Sequence, residues 1–327
     1  MTKIIFNTLL GLVLILIWLH FVNFSEIILK ISTADKISIV FIFLFMLLSP
    51  IIRALRLKIF LSEVKNIPLK DLIFLNGASL MLNFFIPIRA GEIAKGVYLN
   101  TKYGLNLGTS VIWIFIDRFV DFLAVLALAV ILLSLVPTSL NITFIVIIIV
   151  IFILALLTTY LAIFQLDFSK KMVSFLKTLF IVKNIKIYFE RLTNFILEAF
   201  SILNRHPKDI ILMMLLTILA YGADGLIFYF TFISLHVPQG FLQMYLAQLL
   251  SALIYLIPAA PGYVGSTEAS GLIVLSGVLG IDTKLSSAMI VLFHILTAIF
   301  VLIFGLISIY SLKINLGVVF KKTFKRG

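Results

Sequence analysis

The chain has 327 residues, of which 62% are apolar and only 12% are charged, and its formal net charge is +12. An ordinary soluble domain carries about 25% charged residues, so this composition excludes a water-soluble enzyme, and its apolar content excludes a disordered chain. The composition predicts an all-α, polytopic helical membrane protein, and the basic excess is expected to mark cytoplasmic segments instead of a nucleic-acid partner.

Six apolar segments are long enough to cross a hydrocarbon layer of roughly 30 Å. The first segment is too long for the apolar part of a signal peptide and is not followed by a small-residue cleavage site, so we interpret it as a membrane span. The chain contains no cysteine, which excludes disulfides, thiolate metal ligands and thiol nucleophiles. The predicted spans cover residues 4–24, 37–52, 109–136, 142–164, 210–235 and 285–312.

Two further apolar regions, residues 72–100 and 241–281, are interrupted by proline and glycine. Their uninterrupted arms have about 8 to 16 residues, or roughly 12 to 24 Å as helix, so most are too short to span. Irregular backbone at membrane depth is tolerated only inside protein or beside a wet cavity. We therefore predict two re-entrant helix hairpins, with breaks at Pro87, Gly91, Pro258, Pro261, Gly262 and Gly265.

The distribution of Lys and Arg predicts the orientation of the chain. Residues 53–70 carry five basic residues, residues 165–208 carry eight and residues 313–327 carry five, whereas the connections 137–141 and 236–240 carry none. Cytoplasmic segments collect Lys and Arg. We expect a multi-pass protein of the cell (plasma) membrane with cytoplasmic N- and C-termini, in which one hairpin enters from each face.

The two broken regions also resemble each other. Both run aromatic, Ile, Pro, Gly, Glu, and Glu92 precedes Arg118 by 26 residues just as Glu268 precedes His294. Broken segments at corresponding positions of two halves indicate an inverted-topology repeat with a substrate site between the halves. The predicted repeat cores are residues 71–136 and 241–312, within a single integral membrane domain of residues 1–327.

The linker between the halves, residues 165–208, places apolar residues at helical spacing opposite lysines. This pattern predicts amphipathic helices on the anionic cytoplasmic leaflet. A cytoplasmic helical hairpin that only connects the halves fits the pattern equally well.

Charged side chains at membrane depth cost about 2.5–3.5 kcal/mol each on insertion scales, so most need partners or a cavity. Arg89 suits bidentate recognition of a phosphate or carboxylate, or it forms an internal ion pair with Glu92 or Asp117. The predicted intramembrane charges are Arg89, Glu92, Asp117, Arg118, Asp121, Asp224 and Glu268.

Each acidic residue has more than one interpretation. Glu92 and Glu268 begin half-helices, where they complement the helix dipole, bind a cationic headgroup or carry a coupling proton. Asp117 and Asp121 are four residues apart on one helix face, which requires a cation between them or one protonated carboxyl. Asp224 lies among small residues and is a packing group or a proton site.

Enzyme motifs are lacking. His294 is a lone histidine in the last predicted span, where a hydrogen-bonded core histidine is the usual case. Its repeat relation to Arg118 makes it a candidate site residue. We predict no metal and no cofactor.

Three motifs together resemble the flippase-like membrane domain of lysylphosphatidylglycerol synthases, over about residues 5–312. They are Pro87-x-Arg89-x-Gly91-Glu92-x-x-Lys95, Asp117-Arg118-x-x-Asp121 and Pro261-Gly262-x-x-Gly265-x-x-Glu268.

The resemblance implies roughly eight membrane segments, two of them re-entrant, and lipid translocation. Lys95, Asp117 and Tyr263 depart from the family's usual Arg, Glu and Gly, which leaves the headgroup preference open. The soluble aminoacyl-transferring domain of the synthases is not found in these residues, so we expect no enzymatic activity.

The first hypothesis is therefore a flippase for an anionic or aminoacylated phospholipid or another lipid phosphate. The alternatives are a proton-coupled transporter of a small soluble anion and a non-transporting scaffold subunit. Membrane lipids and the anionic cytoplasmic leaflet are the expected partners, and the oligomeric state stays open. The predicted substrate-binding residues are Arg89, Glu92, Lys95, Asp117, Arg118, Asp121, Glu268 and His294, with Asp224 as a candidate proton site.

Overall fold

The computed structural model describes residues 28–29, 31–62, 64–86, 90–178, seven positions between 186 and 197, 207–254 and 260–313. The predicted first span, residues 4–24, and the candidate residues Pro87, Arg89 and Pro258 lie outside the described residues.

Every regular element of the described ranges is a helix, as the composition predicts. Within the part of the chain that the structure describes, five helices are long and apolar enough to cross a membrane. They are α1 (Lys36–Ser62), α4 (Leu107–Leu135), α5 (Ile142–Phe164), α7 (Pro207–Ser234) and α10 (Thr283–Leu312).

The remaining helices are shorter and fall where the broken regions and the linker are predicted. A 3₁₀ turn, Pro261–Tyr263, precedes α9, and α9 runs directly into a π-helical segment, Leu272–Val278. The shorter helices are α2 (Leu69–Phe85), α3 (Ala90–Tyr103), α6 (Leu166–Thr178), α8 (Phe241–Ile254) and α9 (Ser266–Gly271).

Two apolar cores lie toward opposite ends of the bundle. One core takes Ile42 and Met46 from the first half of α1, together with α8, the π segment and the start of α10. The other takes Leu57 and Phe60 from the second half of α1, together with α3 and the start of α4. The charged side chains described below lie between the two cores.

Small residues let α2 and α10 approach closely, as in many membrane helix pairs. A Cβ atom built on Gly77 would lie 2.2 Å from Ser308 Oγ, and one built on Gly305 would lie 2.4 Å from Met81 Cβ. The first broken region is thereby held against the last long helix.

The start of α2 and the end of α3 meet at one end of the bundle. Lys102 Nζ lies 2.5 Å from Asp71 Oδ2, and Tyr98 and Tyr103 also donate to this carboxylate. Burial acts against ionisation of Asp71, but the hydrogen bonds from Lys102 and the tyrosines outweigh it and hold the pKa of Asp71 below its usual value. The bond to Asp71 raises the pKa of Lys102.

Connections at the other end of the bundle also contact one another. The Asp35 N–H donates to the Ser234 carbonyl at 2.8 Å, and the Ser139 N–H donates to the Val278 carbonyl at 2.9 Å. The start of α1, the end of α7, the 137–141 connection and the end of the π segment therefore lie at one level.

Candidate substrate-binding site

A fully buried arginine separates the two aspartates of α4. Arg56 donates from Nε at 2.9 Å and from Nη2 at 2.6 Å to Asp117 Oδ1. Its Nη1 donates to Asp121 Oδ1 and, at 2.6 Å, to Thr217 Oγ1. Arg56 is thus the cation that the spacing of the two aspartates requires, and it joins α1 to α4 and α7.

The predicted end of the second span at Ile52 is wrong, because Arg53 and Arg56, which the positive-inside count assigns to the following segment, belong to the same helix. The helix continues to Ser62, and the side chain of Arg56 is 0% exposed. Carboxylates within the protein stabilise the charges of both arginines. Lipid would provide no such partners. Ser49, Arg53 and Arg56 recur at i, i+4 and i+7, a one-face spacing that could have revealed them.

Arg118 contacts the same aspartates from the side of a cavity. Its Nη2 lies 2.7 Å from Asp117 Oδ2 and its Nη1 lies 3.2 Å from Asp121 Oδ2. Its Nε lies 3.9 Å from Glu92 Oε1, and Glu92 Oε2 lies 3.4 Å from Lys95 Nζ. The side chain of Arg118 is 36% exposed, so this guanidinium is accessible to a ligand whereas that of Arg56 is not.

Asp224, the candidate proton site, pairs with an arginine. Arg53 Nη2 lies 2.9 Å from Asp224 Oδ2, and the guanidinium lies 4.9 Å from the centroid of the Tyr221 ring. The pair joins α1 to α7.

These side chains form one charge-balanced group, which we term the central network. Among the described residues it holds four cations and four carboxylates. They are Arg53, Arg56, Lys95 and Arg118, and Glu92, Asp117, Asp121 and Asp224.

Two cavities adjoin the central network. The larger has a volume of about 360 Å³ and is lined by polar residues of α1, α2, α3, α4 and α7 and by aromatic residues of α10. The smaller has a volume of about 220 Å³ and includes Tyr221 and Tyr263. Asn83, Glu92 and Arg118 line both cavities, so these three residues form the shared wall.

Several atoms at the cavity walls have no hydrogen-bond partner among the described residues. They include Glu92 Oε2, Arg118 Nε and Thr297 Oγ1. Buried polar atoms are nearly always paired, with protein, water or ligand. The wall of the larger cavity contains donor groups of Arg53, Lys95 and Arg118 and acceptor groups of Glu92 and Asp224.

Glu268 and His294 form a second site, near the smaller cavity. His294 Nδ1 lies 2.6 Å from Glu268 Oε1, and His294 Nε2 lies 2.7 Å from the Gly262 carbonyl oxygen. Glu268 Oε2 accepts the Gly265 N–H at 2.7 Å. Phe84 of α2 lies edge-on to His294, with ring centroids 6.2 Å apart.

The described breaks have distinct local causes. Gly262 and Gly265 have φ angles of +72° and +79°, the left-handed region that glycine adopts without steric cost. Gly91 is needed for close approach, because a Cβ atom there would lie 2.1 Å from the Ser79 carbonyl oxygen. The Gly91 N–H donates to Asn83 Oδ1 at 2.8 Å, which fixes the start of α3 against α2.

The sequence matches the model of a protein family described as the lysylphosphatidylglycerol synthase TM region, over residues 4–305. The chain belongs to this family. The resemblance that the three motifs indicate is thereby confirmed. A comparison with curated proteins gave no match.

Membership of the lysylphosphatidylglycerol synthase TM family and the five apolar helices together identify a multi-pass membrane protein. The family also indicates a function related to membrane lipids. Of the residues predicted from the sequence, the structure brings Glu92, Lys95, Asp117, Arg118, Asp121 and Asp224 into the central network and places Glu268 and His294 together as a separate pair.

Proposed function

We propose that this protein translocates a phospholipid with an anionic or aminoacylated headgroup, or another lipid phosphate, across the membrane. The observation that carries the proposal is the cavity of about 360 Å³, whose wall includes the charged residues Arg53, Glu92, Lys95, Arg118 and Asp224. A volume at the low end of the range for small-molecule sites suits a headgroup better than a whole lipid, so the acyl chains remain in the bilayer.

Cationic wall residues provide the anion-binding part of the site. The side chain of Arg118 is 36% exposed, and Arg53 and Lys95 line the same cavity. A guanidinium binds phosphate oxygens through paired N–H donors. We therefore assign the lipid phosphate to Arg118, together with Arg89, which keeps its predicted role as a phosphate ligand.

Acidic wall residues complement a headgroup that also carries an amine. Glu92 and Asp224 line the same cavity. Asp117 and Asp121 are engaged by Arg56, so they orient Arg118 and do not face the ligand directly. The site is thus divided into residues that bind and residues that hold them in place.

We also propose the inverted repeat and its two re-entrant hairpins. Glu92 contacts Arg118 at 3.9 Å and Glu268 contacts His294 at 2.6 Å, so the residues 26 positions apart meet in both halves. The contact of Asp71 with Lys102 places the start and the end of the first hairpin at the same end of the bundle. With residues 4–24 included, the proposed architecture is six spans and two hairpins in one membrane domain, with the repeat cores given above.

The orientation and partners complete the proposal. We place both termini and the α6 linker on the cytoplasmic side of the plasma membrane. In α6, Phe168 and Phe175 are exposed and lie near Lys170, Lys171 and Lys177, a combination that suits an anionic leaflet. The protein moves lipid without chemical conversion, so we do not assign it an enzymatic reaction.

Reconstitution into liposomes tests the function. Vesicles of phosphatidylcholine with a trace of fluorescent phosphatidylglycerol or its lysyl ester report translocation as loss of protected fluorescence on adding a membrane-impermeant quencher. We expect wild type to move lipid and Arg118→Gln and Arg89→Ala to do so at least tenfold more slowly. Lys36→Gln, which removes an exposed charge at the start of α1, is the matched control and keeps the wild-type rate.

Other outcomes contradict the proposal in different ways. Equal rates for wild type and Arg118→Gln mean that the headgroup does not bind at this site. Uptake of a soluble anion without lipid movement favours the proton-coupled anion transporter. If the protein moves neither lipid nor a soluble anion, the scaffold hypothesis is favoured, although a scaffold does not need a cavity lined by charged residues.

A further inference from the structure

The hydrogen bonds of His294 define how many protons it holds. A carbonyl oxygen only accepts hydrogen bonds, so the contact of Nε2 with the Gly262 oxygen at 2.7 Å requires a proton on Nε2. The contact of Nδ1 with Glu268 Oε1 at 2.6 Å requires one more proton between them, because two lone pairs at this distance repel. Imidazole is the stronger base in water, which places this proton on Nδ1.

We propose that Glu268 and His294 form a proton-binding site that controls the position of the Pro261–Gly265 turn at the wall of the smaller cavity. The reaction is the uptake of one solvent proton by neutral His294 beside ionised Glu268, which gives an imidazolium–carboxylate pair. Neutral His294 keeps one N–H, so loss of that proton leaves a ring lone pair opposite either Glu268 Oε1 or the Gly262 oxygen, and that contact opens. This inference rests on the proposed function and identifies the proton as its coupling ion.

The turn is built so that it depends on this pair. Its Gly262 carbonyl is held by His294, and its Gly265 N–H is held by Glu268. Tyr263, between these anchors, has a positive φ of 56°, which is unusual for a tyrosine. These two anchors act together with the hydrogen bond from the Tyr263 N–H to the Ala260 carbonyl and the one from Ser266 Oγ to the Tyr263 carbonyl.

Tyr263 connects the pair to the central network. It lines the smaller cavity together with Glu92, Arg118 and Asp121. Its ring lies 6.0 Å from that of Phe84, which also faces His294. When the proton is lost and the turn moves, the wall opposite Arg118 changes shape, which alters headgroup binding.

Groups from the neighbouring elements determine the electrostatic setting of the pair. Helix α2 presents the uncharged Phe84 to His294. Helices α1, α3, α4 and α7 contribute the central network, whose charges balance, and α7 adds Tyr221 at the smaller cavity. Proton binding at Glu268 and His294 thus takes place beside a network with no net charge.

Nitrogen-15 NMR of histidine-labelled protein in liposomes tests the proton site independently of transport. We expect both ring nitrogens of His294 to be protonated at about pH 6 and one of them to lose its proton as the pH rises toward about 9. His294→Gln assigns the signal. Glu268→Gln keeps an acceptor for Gly265 and a donor for Nδ1, so it should hold the turn while leaving His294 neutral at about pH 6.

A neutral His294 in wild type at about pH 6, or an imidazolium in Glu268→Gln, would overturn the proton site. The coupling is tested in the liposome assay with an imposed pH gradient. We expect the wild-type rate to change at least threefold with the gradient and the Glu268→Gln rate to be independent of it. His236→Gln, which removes an exposed loop histidine, is the matched control and keeps the gradient dependence.

The outcomes separate this proposal from the proposed function. Lipid movement that ignores the gradient in wild type refutes the coupling and leaves translocation standing. Absence of lipid movement together with a titrating His294 refutes translocation and leaves the proton site standing.

Discussion

Arg56 on α1 donates two hydrogen bonds to Asp117 Oδ1 on α4, at 2.9 and 2.6 Å, in a part of the protein where the arginine side chain is 0% exposed. A buried pair of this kind tolerates the loss of one partner poorly, because the remaining charge is left without compensation. The pair helps to position the ligand-binding Arg118, because Asp117 also contacts Arg118.

Replacement of Arg56 tests this supporting role. Arg56→Met leaves Asp117 and Asp121 without their shared cation, and we expect a loss of stability of about 3–5 kcal/mol. Thermal unfolding in detergent measures it. Arg56→Lys keeps the charge but not the paired N–H donors, and should lose less. A thermal midpoint for Arg56→Met equal to that of wild type would show that the cation is dispensable.

An added methyl group should affect stability differently at two glycines, Gly91 and Gly222. A Cβ atom at Gly91 would lie 2.1 Å from backbone, whereas one at Gly222 would have no atom within 4 Å. We expect Gly91→Ala to displace the start of α3 and reduce stability by about 1–3 kcal/mol, as overpacking does. Gly222→Ala, in the interior of α7, should be neutral or slightly stabilising because alanine favours helix. Thermal unfolding compares the pair, and equal effects would contradict the close packing of α3 on α2.

The stability contribution of Asp71 should depend on pH. Its lowered pKa means that the folded state favours the carboxylate, so the stabilisation is complete above the ordinary aspartate value of 3.8 and is lost as the pH falls through the lower folded value. At neutral pH, Asp71→Asn should unfold a few degrees below wild type, and this difference should shrink in acid. A difference that is constant from neutral to acid pH would rule out ionisation of Asp71 as its cause.

Single cysteines can define the orientation, because the chain has no native cysteine to remove. Lys65→Cys and Lys102→Cys flank the first hairpin, and Ser139→Cys lies in the connection at the other end of the bundle. In intact cells we expect a membrane-impermeant thiol reagent to label Ser139→Cys only, with the other two labelled after the membrane is opened. Labelling of Lys65→Cys and Lys102→Cys from opposite sides would disprove a re-entrant hairpin.

Much of the fold follows from local properties of the sequence. The positions of the spans depend on the length of each apolar segment, and the breaks depend on proline and glycine. Both can therefore be predicted from each segment of the sequence separately. The described helices of the predicted spans 109–136, 142–164, 210–235 and 285–312 agree with their predicted bounds to within a few residues. The predicted span 37–52 ends before α1 does, because the positive-inside rule treats arginine as a sign of the aqueous phase.

The site was only partly predictable for the same reason. Charge at membrane depth identified Asp117, Arg118, Asp121 and Asp224 as residues in need of partners, but it did not reveal which residues would be those partners. Arg53 and Arg56 are separated from them by 61 to 171 positions. Such contacts depend on how helices pack, and no local pattern encodes them.

The sequence by itself determined that this protein is a helical membrane protein of the lysylphosphatidylglycerol synthase TM family, since composition, apolar period and motif spacing are properties of the chain. Only the tertiary structure decided that Arg56 forms ion pairs with the aspartates of α4, that Arg53 forms an ion pair with Asp224, and that each ring nitrogen of His294 contacts an acceptor. Buried charges are stable only with partners in three dimensions, so their roles become apparent when the helices pack together.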